Sequence, residues 1–344
     1  MRILIATGIY PPDIGGPAQY ALGVEEVWQK AGHEVKVLSF RFERRLPTGI
    51  RHVYYFLRVL FSLPGVDFVF SPDTFSAALP ALLASTLLGK KLIIRTGGDF
   101  LWEWYVERTG DLVLLRDFYS TRLLRLNRKE RIIFSLLRFL FRHADAIIFS
   151  TAWQRDIFTK PYGLNAARCH IVENYYGPEE RKVYSNVPQH IGIHKKIFVG
   201  GTRPLKWKNI PRVEEAFKTL QSKGLPVSLA LQIGSRGQFL LDIQSSYAVI
   251  IASLGDISPN TILEAIQFGK PFILTLETGL YPKLKDIGVW VDPEDVGDIA
   301  AKVAWLADDQ NYEAQCKKIA AFAFTHSWED IANEILTIHA NLKS

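Results

Sequence analysis

The sequence contains very little cysteine. Only two of its 344 residues are cysteines, Cys169 and Cys316, and neither has a second Cys or a His at the spacing of a metal site. This scarcity argues against a disulfide framework and against a structural zinc site. We therefore expect a reducing compartment.

Long hydrophobic runs are also absent. The longest apolar stretch, AALPALLASTLLG at 77–89, contains a proline and falls short of the ~20 residues that a membrane span requires. The first residues, MRILIATGIYPP, hold an apolar run too short for the core of a signal peptide. We expect a cytoplasmic protein that has no membrane-spanning segment.

The composition is that of a globular protein with more than one core. Apolar residues make up 48% of the chain and aromatic residues 12%, and a chain of this length usually forms two domains. The net charge of +6 is uneven: residues 1–190 hold 25 Lys and Arg against 18 Asp and Glu, while the remainder holds 16 against 17. No nucleic-acid recognition motif accompanies the basic residues, so nucleic acid is not expected as a partner.

Apolar strand patterns alternate with helical patterns along the whole chain. RILIAT at 2–7, a helical segment ending near Gly32, and HEVKVLSF at 33–40 form one β-α-β unit, and the same alternation restarts with KIFVGG at 196–201. This order predicts parallel, doubly wound sheets. We predict domains at 1–190 and 191–344, joined near 183–195, with the last helix at about 328–344 able to return to the first domain.

Ligands of such sheets bind beyond the carboxyl ends of the strands, so functional residues are expected in the loops there. The first is GIYPPDIGGPAQY, in which Gly15 and Gly16 precede a helix. Small residues before a helix N-terminus favour the binding of an anion. A flexible loop that merely leads into a helix would have the same sequence, and this is the alternative interpretation. The loop lacks the GxGxxG pattern, so no dinucleotide cofactor is indicated.

The second loop is VGGTRPLKWKN at 199–209. Arg203 and Lys208 lie five positions apart in it and could close on one pyrophosphate, the Arg as a bidentate fork and the Lys as a point charge. Two solvated cations are the alternative interpretation.

The third loop is LGDISPNTILEA at 254–265, where a helix is predicted to begin at Asn260 or Thr261, with Ser258 or Asn260 available to cap it. A helix start without acidic side chains attracts a bound anion. Glu264 could accept hydrogen bonds from ligand hydroxyls just beyond that anion. An ordinary carboxylate that complements the helix dipole is the alternative.

The fourth loop is RTGGDFLWEW at 95–104, in which Asp99, Trp102 and Glu103 follow two glycines. Acidic and aromatic residues in such a place suit the hydroxyls and faces of sugars. A buried Trp and a capping Asp would give the same pattern.

Together these segments resemble the retaining glycosyltransferases of family 4, which have the GT-B architecture. GDISPNTILEAIQFGKPFI is similar to the family segment with two carboxylates eight positions apart, here Asp256 and Glu264, and VGGTRPLKWKN is similar to the family's phosphate loop. GIYPPDIGGPAQY, ADAIIFSTAWQRD, IVENYYGPE and HSWEDIANEIL resemble further family segments in the same order. The resemblance covers nearly the whole chain.

The resemblance implies two Rossmann-like domains facing a central cleft and transfer of a hexosyl unit from a nucleotide-diphosphate sugar, with retention, to a hydroxyl of a saccharide or lipid-linked saccharide. It implies Glu264 on the ribose, and Asp256 near the sugar with Asp99 as a further catalytic candidate. The diphosphate would be held by Arg203, Lys208 and the backbone at Asn260 and Thr261, with Gly15 and Gly16 also on the donor. No metal and no other cofactor is required.

The chain departs from the family pattern at three places. Gly97-Gly98 replaces the usual His-Gly, so Asp99 is the nearest polar substitute; Asp256 replaces a Glu; and only SRGQFLLDIQSS separates two strands where the family usually has another helix and strand. These departures keep an alternative open: a catalytically degenerate GT-B protein that binds nucleotide or glycan, or scaffolds a partner enzyme.

Two segments of the first half mix arginine with phenylalanine and leucine, RHVYYFLRVLFSLP at 51–64 and TRLLRLNRKERIIFSLLRFLFRH at 121–143. Interfacial helices have this composition, which would allow peripheral contact with the inner face of a membrane. In the second segment, however, Ile132, Ile133, Leu136, Leu137 and Leu140 share one helical face, and this favours a core-facing helix with an arginine-lined outside.

Overall fold

The computed structural model describes residues 1–342 apart from residues 14, 48, 178–194, 201–203 and 232–234. Its contacts divide the chain into two compact units. The first unit comprises Met1–Leu101, Arg125–Tyr175 and His326–Ser344, and the second comprises Trp102–Leu124 and Tyr176–Thr325. The predicted boundary at 190/191 lies outside the described residues and stays a prediction.

The first unit is built on a six-stranded parallel sheet in the order β2-β1-β3-β4-β5-β6. Its strands are β1 (Arg2–Thr7), β2 (Glu34–Ser39), β3 (Phe68–Ser71), β4 (Lys91–Thr96), β5 (Ala146–Phe149) and β6 (Cys169–Ile171). The central strands are continuous buried runs of Ile, Val, Leu and Phe, the pattern of a parallel sheet that helices cover on both faces.

Helices connect these strands. They are α1 (Gly16–Lys30), α2 (Ile50–Leu60), α3 (Ala78–Leu87), α4 (Phe100–Thr109), α5 (Leu115–Thr121), α6 (Arg128–His143) and α7 (Ala152–Tyr162), of which α5 and most of α4 belong to the second unit. Asn127 begins α6 with a capping box completed by Glu130. Among the described residues, no helix has both the length and the hydropathy needed to span a bilayer.

The second unit is built on a five-stranded parallel sheet in the order β11-β10-β9-β7-β8. The strands are β7 (Lys196–Gly200), β8 (Val227–Leu231), β9 (Ala248–Ile251), β10 (Phe272–Thr275) and β11 (Val289–Val291). The helices are α8 (Ile210–Ser222), α9 (Arg236–Ser245), α10 (Asn260–Gln267), α11 (Tyr281–Leu284), α12 (Val296–Ala307) and α13 (Asp309–Ala321).

The predicted fold class, two doubly wound Rossmann-like α/β domains, is confirmed. The helical region predicted up to residue 143 consists of three separate helices, α4, α5 and α6. The short strand β6 was not predicted, because three residues are too few to show a periodicity.

The last helix, α14 (Trp328–Asn341), packs against α1 within the first unit. The Trp28 indole N–H donates to the carbonyl of Ala332 at 3.2 Å, and the His339 ring stacks on Phe68 at 4.2 Å between centroids. Side chains of α14 thus complete the apolar core between α1 and the sheet.

Gly23 lies in the middle of α1 where this packing is closest. A Cβ at position 23 would come within 2.5 Å of the Trp328 ring. Gly→Ala in a helix interior ordinarily stabilises a protein by about 1 kcal/mol, but here we expect Gly23→Ala to lower the free energy of unfolding by about 1–3 kcal/mol, because the ring must move. Denaturant unfolding measures the change.

The same substitution in a Trp328→Ala background provides the control. With the ring removed, Gly23→Ala is expected to become neutral or stabilising. Equal destabilisation in both backgrounds would contradict the proposed origin of the effect.

Candidate functional site in the second unit

The site lies where the order of the second sheet reverses. The chain passes from β7 outward to β8 and then returns to β9 on the other side of β7. Loops after β7 and β9 therefore diverge at the carboxyl edge, which is where open parallel sheets bind ligands. Lys208 follows β7 and Asp256 follows β9.

The structure brings Lys208 and Asp256 together. The Lys208 Nζ donates to Asp256 Oδ2 at 2.7 Å, and the two side chains are only 14% and 12% exposed. Ser253 Oγ donates to the same carboxylate oxygen at 3.2 Å, and the Lys208 Nζ lies 4.3 Å from the centre of the Trp207 ring. Opposite charges this close and this well shielded from water interact strongly.

Backbone contacts fix the position of Asp256. Its N–H donates to the carbonyl of Glu277 at 2.8 Å, and it forms an isolated parallel bridge with Thr278, so the loops after β9 and β10 continue the pairing of their strands. The Leu254 N–H donates to the carbonyl of Trp207 at 2.9 Å, which joins the loop after β9 to that after β7. Hydrogen bonds from neighbouring loops therefore fix the backbone that carries this carboxylate.

Helix α10 begins four residues after Asp256. It starts at Asn260, as predicted, with Pro259 as the N-cap residue and no acidic side chain in its first turn. The predicted capping by Ser258 or Asn260 is wrong, because the N-cap position falls on Pro259, whose side chain cannot cap. The start of α10 therefore has no acidic side chain that would compete with a bound anion for the positive end of the helix dipole.

Glu264 lies in the second turn of α10. It is 6% exposed and sits in a run of buried residues that extends from Ile262 to Ile266. A carboxylate at such a buried position is not an ordinary surface charge that complements the helix dipole. The assignment of Glu264 to a ribose stays a prediction.

Segment 102–124 packs on these loops from a distant part of the sequence. The Leu115 N–H donates to the carbonyl of Leu254 at 3.1 Å, and the Trp102 and Trp207 rings lie 5.5 Å apart. A Cβ on Gly255 would come within 2.5 Å of Leu115 Cβ, so only glycine allows this approach. The sequence did not predict that segment 102–124 packs on this loop. Gly255 was the one residue that could have indicated a close approach.

Glu277 is a further residue that the sequence reasoning missed. Its side chain is 2% exposed, and its Oε1 accepts a charged hydrogen bond from Arg116 of α5 at 3.0 Å. Burial raises the pKa of Glu277 from the ordinary value of 4.5 to about 7, while the Arg116 guanidinium acts to lower it. The pair joins segment 102–124 to the loop after β10.

The remaining predicted site residues fall in two groups. Arg203 lies outside the described residues. Gly15, Gly16 and Asp99 belong to the first unit: Gly15 is the N-cap residue of α1, and Asp99 is 3% exposed and accepts the Leu101 N–H at 3.1 Å at the start of α4. This bond has the geometry of the capping alternative, and a catalytic role for Asp99 stays a prediction. Trp102 is 1% exposed, a core residue and not an open sugar platform.

Asn209 holds the Lys208 loop in place. It has the left-handed φ of 61°, and its Nδ2 donates to the carbonyls of Ala252 at 2.9 Å and Pro293 at 2.7 Å. We expect Asn209→Ala to lower the free energy of unfolding by about 3 kcal/mol, since two buried hydrogen bonds are lost and alanine disfavours this φ.

Asn209→Gly is the matched variant, because it loses the same bonds and tolerates the backbone conformation. It is expected to cost about 1 kcal/mol less than Asn209→Ala in urea unfolding. A glycine variant less stable than the alanine variant would contradict this account.

The raised pKa of Glu277 predicts a pH effect. Folding strengthens proton binding at Glu277, whose pKa rises from 4.5 to about 7, so its contribution makes the free energy of unfolding fall as pH rises through that window. Glu277→Gln keeps an acceptor for Arg116 and is expected to remove this fall. Urea unfolding at several pH values across the window measures it, with Glu215→Gln on the exposed side of α8 as the control. An unchanged pH slope in Glu277→Gln would refute the prediction.

Comparison with known proteins finds a family match in the first half of the chain. Residues 14–180 match the model of Glycosyltransferase Family 4. No curated protein matches the chain in sequence.

Several solved structures share the fold of this chain over nearly their whole length. Sucrose-phosphate synthase from Thermosynechococcus elongatus has a TM-score of 0.71 at 12% identity, covering 99% of this chain and 98% of that one. WaaG, a glycosyltransferase involved in lipopolysaccharide biosynthesis, has 0.67 at 14%, covering 98% and 99%. HepE from Anabaena, in complex with UDP-glucose, has 0.62 at 13%, covering 100% and 98%. Residues 14–180 thus resemble Glycosyltransferase Family 4, and the chain as a whole shares the GT-B fold of these solved structures.

Proposed function

We propose that the chain is a retaining glycosyltransferase that moves a hexosyl unit from a nucleotide-diphosphate sugar to a hydroxyl of a saccharide or lipid-linked saccharide. The contact of 2.7 Å between Lys208 and Asp256 at the switch point of the second sheet carries the proposal. A cation and a carboxylate side by side at such an edge offer one group to a phosphate and the other to a sugar.

The donor would be held by cations and by a helix end. Lys208 can exchange its bond to Asp256 for a bond to the diphosphate. Helix α10, which follows β9 and has no acidic side chain in its first turn, would offer the positive end of its dipole to the same anion. Arg203, five positions before Lys208, would add a bidentate contact. HepE, which shares the fold, was solved with UDP-glucose, and this supports a nucleotide sugar as the donor.

Charge development suits this arrangement. When the bond from the anomeric carbon to phosphate breaks, negative charge grows on the phosphate and positive charge on the sugar. Lys208 and the helix N-terminus would stabilise the first, and Asp256, released from Lys208, would stabilise the second. Because these interactions strengthen toward the transition state, they raise the rate of transfer.

Retention follows if the acceptor attacks on the face that the phosphate leaves. The acceptor oxygen forms its bond to the anomeric carbon there, and its proton passes to an oxygen of the departing phosphate. Since the departing phosphate accepts the proton, this transfer needs no protein base, no covalent intermediate and no metal ion. We propose a cytoplasmic location, which agrees with the presence of two free cysteines, Cys169 and Cys316.

Ligand stabilisation tests the donor site. UDP, GDP, ADP, dTDP and their sugar conjugates are added to the full chain, and unfolding is followed by heat. A nucleotide at a hundred times its dissociation constant adds about 2.7 kcal/mol. We expect one nucleotide to stabilise the wild type, and Lys208→Ala to weaken its binding about ten- to a hundredfold through loss of a charged hydrogen bond.

Lys218→Ala, at an exposed lysine of α8, is the matched control and should bind like the wild type. The product's anomeric configuration, read by NMR, is expected to match that of the donor, and transfer is expected to persist with a chelator present. Unaltered binding by Lys208→Ala would refute the assigned role. If no nucleotide stabilises the wild type, the degenerate GT-B alternative replaces this proposal.

A further inference from the structure

Helix α2 exposes an apolar stripe to solvent. Five large apolar side chains at helical spacing are 40–78% exposed: Ile50, Val53, Tyr54, Leu57 and, directly after the helix, Phe61. The opposite side of the helix is also apolar, with Tyr55 and Val59 fully buried against the first unit. A helix at the surface of a globular protein normally needs only one apolar side, the one that faces the core.

The neighbouring helix α3 continues the exposed surface. Helices α2 and α3 pack against each other, and α3 with the residue after it exposes Leu83, Leu87 and Leu88 by 45%, 66% and 44%. We name these eight side chains the α2–α3 face. An apolar surface of this kind marks an interaction site, since isolated apolar side chains are the normal condition of a protein surface and clusters are not.

The two segments that carry the face contain basic residues but no acidic ones. Segments 49–66 and 74–91, which contain the two helices, hold no acidic residue. Arg58 is bound to the buried Glu43 and Lys91 to Asp145, so these two cations are already compensated.

Helix α6 packs on α3 and adds further positive charge to this side of the first unit. Its exposed cations are Arg128, Lys129, Arg131, Arg138 and Arg142, whereas its one acidic residue, Glu130, is fully buried in the capping box. Ile132, predicted to face the core, is instead 54% exposed, and Phe139 is 41% exposed. The outer side of α6 is therefore basic with apolar residues interspersed.

We propose that the α2–α3 face docks on the surface of an anionic lipid bilayer. The apolar stripe would enter the boundary between headgroups and acyl chains with α2 in the plane of the membrane, and the cations of α6 would lie among the headgroup phosphates. A protein partner would have to offer acidic groups opposite the three helices α2, α3 and α6. An anionic bilayer offers uniform negative charge of any extent.

The inference rests on the described residues of the first unit and does not depend on the proposed donor chemistry. It deepens the proposed function, because an enzyme held in this way reaches an acceptor whose saccharide is attached to a lipid. Failure of either proposal can be recognised separately, since nucleotide binding and vesicle binding are measured independently.

Vesicle flotation tests the proposal. The full chain is mixed with vesicles of phosphatidylcholine alone or of phosphatidylcholine with phosphatidylglycerol, at low and high salt. We expect binding to the anionic vesicles that weakens with salt. Leu57→Ser with Phe61→Ser should lower the partition coefficient at least about tenfold, because two large apolar groups no longer leave water.

Trp305→Ser, at a tryptophan of α12 that is 43% exposed, is the matched control and should bind like the wild type. Arg131→Gln with Arg138→Gln should reduce binding to anionic vesicles and remove part of its salt dependence. Equal binding by the wild type and the Leu57/Phe61 variant would overturn the proposal. So would a wild type that binds neither kind of vesicle, and the face would then belong to a protein partner.

Discussion

Parallel pairing of the strands is the constraint on which the candidate site depends. In a parallel sheet every carboxyl end lies at the same edge, so the loops after β7, β9 and β10 are neighbours although they are separated in sequence. The reversal of order between β7 and β9 then opens space for a ligand between two of these loops. Lys208 and Asp256 meet at 2.7 Å because of this geometry, 48 residues apart in the chain. The topology thus explains why two residues that are distant in sequence become neighbours.

Supporting contacts make that meeting point rigid. Asn209 bonds to carbonyls after β9 and β11, Asp256 bonds to Glu277, and Leu115 bonds to Leu254. In the proposed transfer, Lys208 and Asp256 exchange partners when a diphosphate binds. Such an exchange needs a fixed backbone, because misplacement by a fraction of an ångström lowers electrostatic stabilisation. The ion pair between the exposed Arg116 and the buried Glu277 attaches segment 102–124 to the same loops. This part of the chain precedes the second sheet in sequence and yet forms part of its carboxyl edge.

Much of this could be predicted from the sequence, and the exceptions have a physical reason. Buried parallel strands are continuous apolar runs, so the fold class could be predicted. The start of α10 after Pro259 could be predicted as well. Lys208 was predicted as a site residue from its loop, and Asp256 from the resemblance of its segment to a glycosyltransferase family segment. Glu277 was not, because its burial and its bond to Arg116 arise from tertiary contacts that leave no periodic pattern. The grouping of segment 102–124 with the second unit was hidden for the same reason.

Amphipathic helices also limit what the sequence can predict, because a periodic pattern does not show which side of a helix is buried. In α6 the sequence predicted an apolar side facing the core, and Ile133, Leu137 and Leu140 are indeed buried while Ile132 is exposed. In α2, periodicity identifies apolar residues on both sides of the helix but cannot say which side the sheet covers. The structure answers this: Tyr55 and Val59 face the sheet, and the stripe that includes Leu57 faces solvent. Since burial of Tyr55 and Val59 already anchors the helix, the exposed stripe is not required by the fold, and a role in binding accounts for it.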